Sequence, residues 1–222
     1  MESGRGLSMK TTQFWLIRHG ETQWNAEKRL QGWLDIPLNT EGIQQAERLR
    51  DYLSSSFDVR VDAVVSSDLV RAFDTAQIAA SQFDRTVVPC ADLRERNFGI
   101  YAGRDWAALN DEHGKHARVN FRDPHQLVEQ GETLHGFDER VGKAFENLAQ
   151  RYAGLNVMAF AHGGVIDIAW RRASGLSLEA PRGDPILNTS INHFSIDQRG
   201  NWSLINWGQS EHLEFSALDD IG

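Results

Sequence analysis

Short apolar runs that stop abruptly at charged or glycine-rich residues alternate along this chain with stretches of helical periodicity, and this alternation narrows the fold more than any other feature. Residues 14–17 are apolar and end in Arg18-His19-Gly20. Residues 40–54 then repeat Ile43, Ala46, Leu49 and Leu53 at helical spacing. A strand-like run at 62–66 is followed by a helix-like stretch at 68–80, and 86–88 reads as a further short strand. The clearest periodicity lies in 131–152, where Leu134, Phe137, Val141, Phe145, Leu148 and Tyr152 share one stripe. Residues 156–161 are again apolar and end in His162-Gly163-Gly164, ahead of a helix at 165–173. Two last runs, 191–196 and 202–207, flank Arg199-Gly200-Asn201 as a closing hairpin. Strands alternating with helices predict an α/β domain: a three-layer sandwich with a mostly parallel central sheet and helices on both faces.

At 222 residues the chain suits one domain, expected over 13–222 behind a flexible tail at 1–12. Residues 100–130 are the least regular part and are expected to cap the site. The net charge of −8 argues against a nucleic-acid partner. An acidic protein that binds phosphate must gather its arginines locally. Cys90 is the lone cysteine, which excludes an intramolecular disulfide, and it reads as a small buried hydrophobe. The first ten residues lack the apolar core of a secretory signal, and no apolar run reaches membrane-spanning length. A cytoplasmic protein without a membrane partner is expected. The oligomeric state is left open, a dimer included.

Ligands of such sheets bind beyond the carboxyl ends of the strands. Here one strand ends in Arg18-His19, another in His162, and a third leads through Ser66-Ser67-Asp68 to Arg71. Any one of these residues alone reads as structural or solvated; ordinary packing does not call for the set. Phosphoryl transfer depends mainly on positioning and charge stabilisation, and arginine forks suit phosphate oxygens. Arg18 and Arg71 can form such a clamp without a metal. A neutral histidine nitrogen can attack phosphorus, which makes His19 the candidate nucleophile and His162, if protonated, a donor to the transferring group. Glu95 is the candidate acid for the leaving alkoxide. His113 and His116 flank Gly114, which breaks the helix that a metal pair would need, so no metal and no cofactor are expected. The seven tryptophans read as core or partial surface cover.

These motifs resemble the histidine phosphatase superfamily, which includes the cofactor-dependent phosphoglycerate mutases, over nearly the whole chain beyond the first dozen residues. The runs that carry the likeness are Arg18-His19-Gly20-Glu21-Thr22-Gln23-Trp24-Asn25, Arg29 to Leu38, Ser66 to Ala76, Glu95-Arg96-Asn97-Phe98-Gly99, Gly131-Glu132-Thr133 and Ala161-His162-Gly163-Gly164. The resemblance implies a phosphoglycerate mutase-like fold. It implies His19 as phospho-acceptor, Arg18, Arg71 and His162 as the phosphate clamp, and Glu95 as proton donor. Asn25, Gln31, Gly32 and Gly163 fall at further substrate-binding positions. The implied enzyme is a histidine acid phosphatase-type phosphomonoesterase acting on a small phosphorylated metabolite. The alternative is a phosphoglycerate mutase, an isomerase of the same fold. The mutases carry a longer insertion after the acid loop with an adjacent arginine pair, whereas 103–131 is short and has no such pair. They also tend to carry asparagine where this chain has Gly164. Ala102 and Tyr101 depart from the family's usual Trp-Glu-Gly segment. A catalytically silent phosphate-binding module is a further alternative, but it would have no need of Glu95.

Overall fold

A computed structural model describes residues 10–106, 109, 119–213 and 218–219. The expected tail through residue 9, the central part of the expected cap, and His113 and His116 lie outside them. The described strands are β1 (Thr11–Arg18), β2 (Ala63–Ser66), β3 (Val87–Pro89), β4 (Asn156–Ala161), β5 (Ile191–Asp197) and β6 (Trp202–Gln209). They form one six-stranded sheet in the order β3-β2-β4-β1-β5-β6. The β2–β3, β2–β4 and β1–β4 pairings are parallel, and β5 and β6 add antiparallel at one side. The mostly parallel α/β sheet follows the sequence reading, including the closing hairpin.

The faces of β1 show why three layers form. Side chains alternate along a strand, so Phe14 and Leu16 enter a core with Phe137, Val141, Phe145, Ile166 and Phe194. Trp15 and Ile17 enter a separate core on the other face with Leu49, Leu53, Val64, Met158 and Phe160. The helices follow the same division. Helices α2 (Thr40–Ser55) and α3 (Val70–Ala79) cover the second face; α4 (Leu134–Arg151) and α5 (Gly163–Ser174) cover the first. A short α1 (Gln23–Ala26) follows β1, capped by Thr22. Among the described residues no helix is long and apolar enough to cross a membrane.

Several boundaries moved for identifiable reasons. β1 begins two residues inside the expected tail, because Thr12 is buried and its hydroxyl donates to the Ala149 and Tyr152 carbonyls. α3 starts at Val70 instead of Asp68: Arg94 holds the Asp68 carboxylate at 2.7 and 2.5 Å, while the Ser67 hydroxyl accepts from Leu69 N. α4 starts at Leu134 because Thr133 caps it through Gly136 N, leaving Glu132 in the preceding loop. Cys90 is half-buried against the first core, and burial pushes its thiol pKa up.

Register carries the fold's consequence for function. Arg18 pairs with Ala161 and Ser66 with Phe160, so three parallel strands release their chains at one level. A third apolar cluster, with Leu30, Phe121 and Val128 buried against Phe98 and Trp106, lies beyond that edge. The loop after β1 then passes very close to the start of α2. A Cβ on Gly20 would stand 2.5 Å from the Gly42 carbonyl oxygen, and one on Gly42 would overlap the Glu21 backbone. Gly42→Ala should therefore lower unfolding stability by about 1–3 kcal/mol, as overpacking does. Urea denaturation measures this, and an unchanged midpoint would contradict the tight approach.

Candidate active site

The in-register ends of β1 and β4 bring His19 and His162 side by side. His19 N donates to the Ala161 carbonyl at 3.0 Å, and the two ring centroids are 5.2 Å apart. Ser67, at the end of β2, reaches His162 Nε2 through its hydroxyl at 2.8 Å.

His19 Nδ1 lies 2.7 Å from the Gly20 carbonyl oxygen, which can only accept, so Nδ1 carries the proton and Nε2 the lone pair. The backbone around it is fixed from three sides. Asn188 Nδ2 donates to the His19 carbonyl, Thr75 Oγ1 accepts from Gly20 N, and Gln45 Oε1 accepts from Glu21 N. His19 is 3% exposed. Burial holds its pKa well below 6.5, and the positive charges of Arg71 and then Arg18 push it the same way. The ring is neutral at physiological pH.

Arg18 and Arg71 are each 1% exposed, among the largest fully buried side chains described. Arg18 Nη1 donates to the Ile186 and Leu218 carbonyls at 2.6 and 2.8 Å. Arg71 donates to the Leu34 carbonyl (Nη1, 3.0 Å) and the Gly32 carbonyl (Nη2, 2.8 Å), while its Nε has no hydrogen-bond partner. Burial lowers the Arg71 pKa to about 10, with Glu95 and Asp35 opposing that shift, so it stays cationic. Buried charge is unfavourable unless something compensates it. Two buried guanidiniums beside a neutral histidine make a site that gains from an anion.

Glu95 closes the constellation. Its Oε1 accepts from Arg96 N at 2.8 Å and its Oε2 from Gly164 N at 3.1 Å. The loop that carries it is held by Arg140, which donates to the carbonyls of Asp92, Arg94 and Glu95 and pairs with Glu132 at 2.6 Å. Trp33 Nε1 also donates to the Glu95 carbonyl. One pocket is lined by Arg18, His19, Asn25, Gln31, Gly32, Arg71 and Glu95, together with Arg96, Phe98 and Gly164. A larger groove at the opposite end of β1, lined by Lys10, Glu146 and Asp197, holds none of these groups.

The sequence of this pocketed chain matches the model of the histidine phosphatase superfamily (branch 1) over residues 14–210. The chain belongs to the histidine phosphatase superfamily. It is 36% identical to phosphoglycerate mutase-like protein 4 of Arabidopsis thaliana over 211 residues, 93% of this chain and 89% of that one. It is 33% identical over 211 residues to the metal-independent phosphoserine phosphatase of the same plant, covering 93% and 85%. The solved structure of YhfR from Bacillus stearothermophilus superposes with a TM-score of 0.78 at 27% identity, covering 91% of this chain and all of that one.

Against this superfamily background, the expected residues fall in two groups. Arg18, His19, Arg71, Glu95, Asn25, Gln31 and Gly32 meet at one pocket. Asn25 is held by a capping box, its Oδ1 accepting from Thr22 N and the Thr22 hydroxyl. Gln31 is buried with Oε1 unpartnered, and Gly32 has a φ of +53° that favours glycine. Gly163 is not part of the pocket wall; Gly164 takes that place, one residue further into α5. His162 is fully buried beside His19, with Nδ1 unpartnered. Burial and then the nearby charges, Arg71 first, hold its pKa well below 6.5, whereas the donor role read from the sequence belongs to the protonated ring. Ser67, Asn188, Arg140 and Trp33 were not anticipated. Ser67 sat inside a quoted motif; Asn188 reaches the site through Thr189, whose N donates to the Arg18 carbonyl, a contact with no local sequence signal. Among the described residues no group of three or more His, Cys, Asp or Glu is placed to hold a metal.

The buried histidines have a consequence for stability. His19 and His162 have folded pKa values well below 6.5, and burial lowers that of His212 to about 4. The unfolded chain therefore takes up more protons as pH falls below the unfolded value of roughly 6.5. Stability is level above that pH and is lost below it, by up to about 1.4 kcal/mol per histidine per pH unit. Urea midpoints should hold between about pH 7 and 8 and drop by about pH 5, with a shallower slope in His162→Gln. Midpoints level down to about pH 5 would contradict buried neutral rings.

Proposed function

We propose that the chain is a phosphomonoesterase that hydrolyses small phosphorylated metabolites, without a metal, through a phosphohistidine on His19. The observation that carries the reading is the neutral His19, its Nδ1–H donating to the Gly20 carbonyl, between two buried arginines and facing Glu95 across one pocket. In the first step His19 Nε2 attacks phosphorus, the ester P–O bond breaks, and Glu95 gives its proton to the departing alkoxide. In the second, Glu95 takes a proton from water, whose oxygen attacks phosphorus as the N–P bond breaks. Arg18 and Arg71 hold the phosphoryl oxygens through both steps. His162 enters neutral; the incoming phosphoryl anion opposes the cations that depress its pKa and lets it act as donor.

A relative named as a metal-independent phosphoserine phosphatase supports hydrolysis. The mutase reading is supported by the relatives named as phosphoglycerate mutase-like and as probable phosphoglycerate mutase. The described part of 100–130 fits the role of a cap, since Phe121 and Val128 pack onto Leu30 beside the pocket.

The protein should release phosphate from p-nitrophenyl phosphate in excess chelator. His19→Ala should lower kcat by about a thousandfold or more, as loss of a nucleophile does. Acid quenching during turnover of a labelled ester should trap an acid-labile, alkali-stable phosphoryl adduct that His19→Ala lacks. Activity that survives the substitution, or that chelation removes, would overturn the mechanism. Interconversion of 2- and 3-phosphoglycerate faster than hydrolysis would replace it with the mutase.

A further inference from the structure

Past Ile17 the pairing of β1 with the chain before β5 leaves its regular register. Continued antiparallel pairing would set Ser190 opposite Arg18 with a bond in each direction. Arg18 N does donate to the Ser190 carbonyl, at 3.4 Å, but Ser190 N turns back to the Leu187 carbonyl. The bond to the Arg18 carbonyl comes instead from Thr189 N at 3.0 Å, so two residues face one. This is the pattern of a β-bulge whose first residue is left-handed, a place that glycine normally fills. Here a threonine fills it: Thr189 is fully buried and has a φ of +58°. A β-branched residue resists that region and keeps such a backbone only where its surroundings hold it.

One side chain from the turn after β6 reaches it. His212 is buried beside Thr189, with the Tyr52 ring of α2 at a centroid distance of 5.4 Å. Its Nε2 lies 3.0 Å from the Thr189 carbonyl oxygen and 3.3 Å from Oγ1. A carbonyl can only accept, so Nε2 carries the ring proton, while Nδ1 has no hydrogen-bond partner. The bulge held in this way serves the site. Thr189 N grips the Arg18 carbonyl, and Asn188, the residue before it, sends Nδ2 to the His19 carbonyl at 2.9 Å. Return of Thr189 to an ordinary extended backbone would move both donors away from Arg18 and His19.

We propose that His212 is a positioning residue for phosphoryl transfer: its Nε2–H clasps the Thr189 carbonyl, holds the left-handed bulge, and through that bulge fixes the backbone of Arg18 and His19. The proposal rests on the phosphatase reading above. His212 is not on the wall of the His19 pocket, so its effect falls on kcat more than on KM.

The test measures kcat and KM for p-nitrophenyl phosphate on the full chain carrying His212→Leu or His212→Gln, each with and without Thr189→Gly. His212→Leu fills similar space without a donor and should lower kcat by about tenfold or more, the scale of a displaced nucleophile, with a smaller change in KM. His212→Gln can bring an amide N–H to the same carbonyl and should restore most of that loss. Glycine adopts the left-handed backbone without strain, so with Thr189→Gly the further loss from His212→Leu should shrink to about threefold or less. His212→Leu with kcat within about twofold of the unaltered chain, His212→Gln as impaired as His212→Leu, or equal losses in both backgrounds would overturn the clasp and leave the phosphatase standing. Imidazole nitrogen NMR of the unaltered protein should find the His212 proton on Nε2; a proton on Nδ1 would overturn the clasp without any variant having to fold. If the unaltered chain does not hydrolyse the ester, the phosphatase reading falls and the positioning role with it.

Discussion

The site is organised by buried positive charge. Arg18 and Arg71 are sealed from solvent, and they donate to the carbonyls of Ile186, Leu218, Leu34 and Gly32. Carbonyl dipoles orient a guanidinium without cancelling its charge, so the field remains to act on its surroundings. After burial, which is the larger cause, it helps hold the pKa values of His19 and His162 well below 6.5. The same field favours a phosphoryl anion. One arrangement thus keeps the candidate nucleophile unprotonated and stabilises the group it would attack, in a chain whose net charge is −8.

Holding that arrangement requires backbone accuracy on a scale below the width of an atom. The parallel register of β1 and β4 sets His19 against His162, and the Gly20–Gly42 approach fixes the loop between β1 and α2. Glu95 is held from the opposite direction. Arg140 and Glu132 cross-link its loop to α4, and Gly164 at the start of α5 gives its amide to the carboxylate. Nucleophile and acid therefore hang from different strands and helices, and the sheet is their common reference.

Much of this was legible because it is local. Apolar runs and their abrupt ends located β1, β4 and the hairpin, and the alternation of side chains along the buried β1 explains the two separate cores. Arg18, His19, Arg71 and Glu95 could be named because each lies at an end where pattern gives way to polar residues. What escaped depends on contacts remote in sequence. Asn188 lies 169 residues from the His19 carbonyl it holds, and Ser67 lies 95 residues from His162. The lowered pKa of His162 has the same remote origin, since it comes from burial first and then from Arg71, a neighbour in space and not in the chain. Gly163 and Gly164 were indistinguishable as letters; only the turn into α5 aims Gly164 at Glu95.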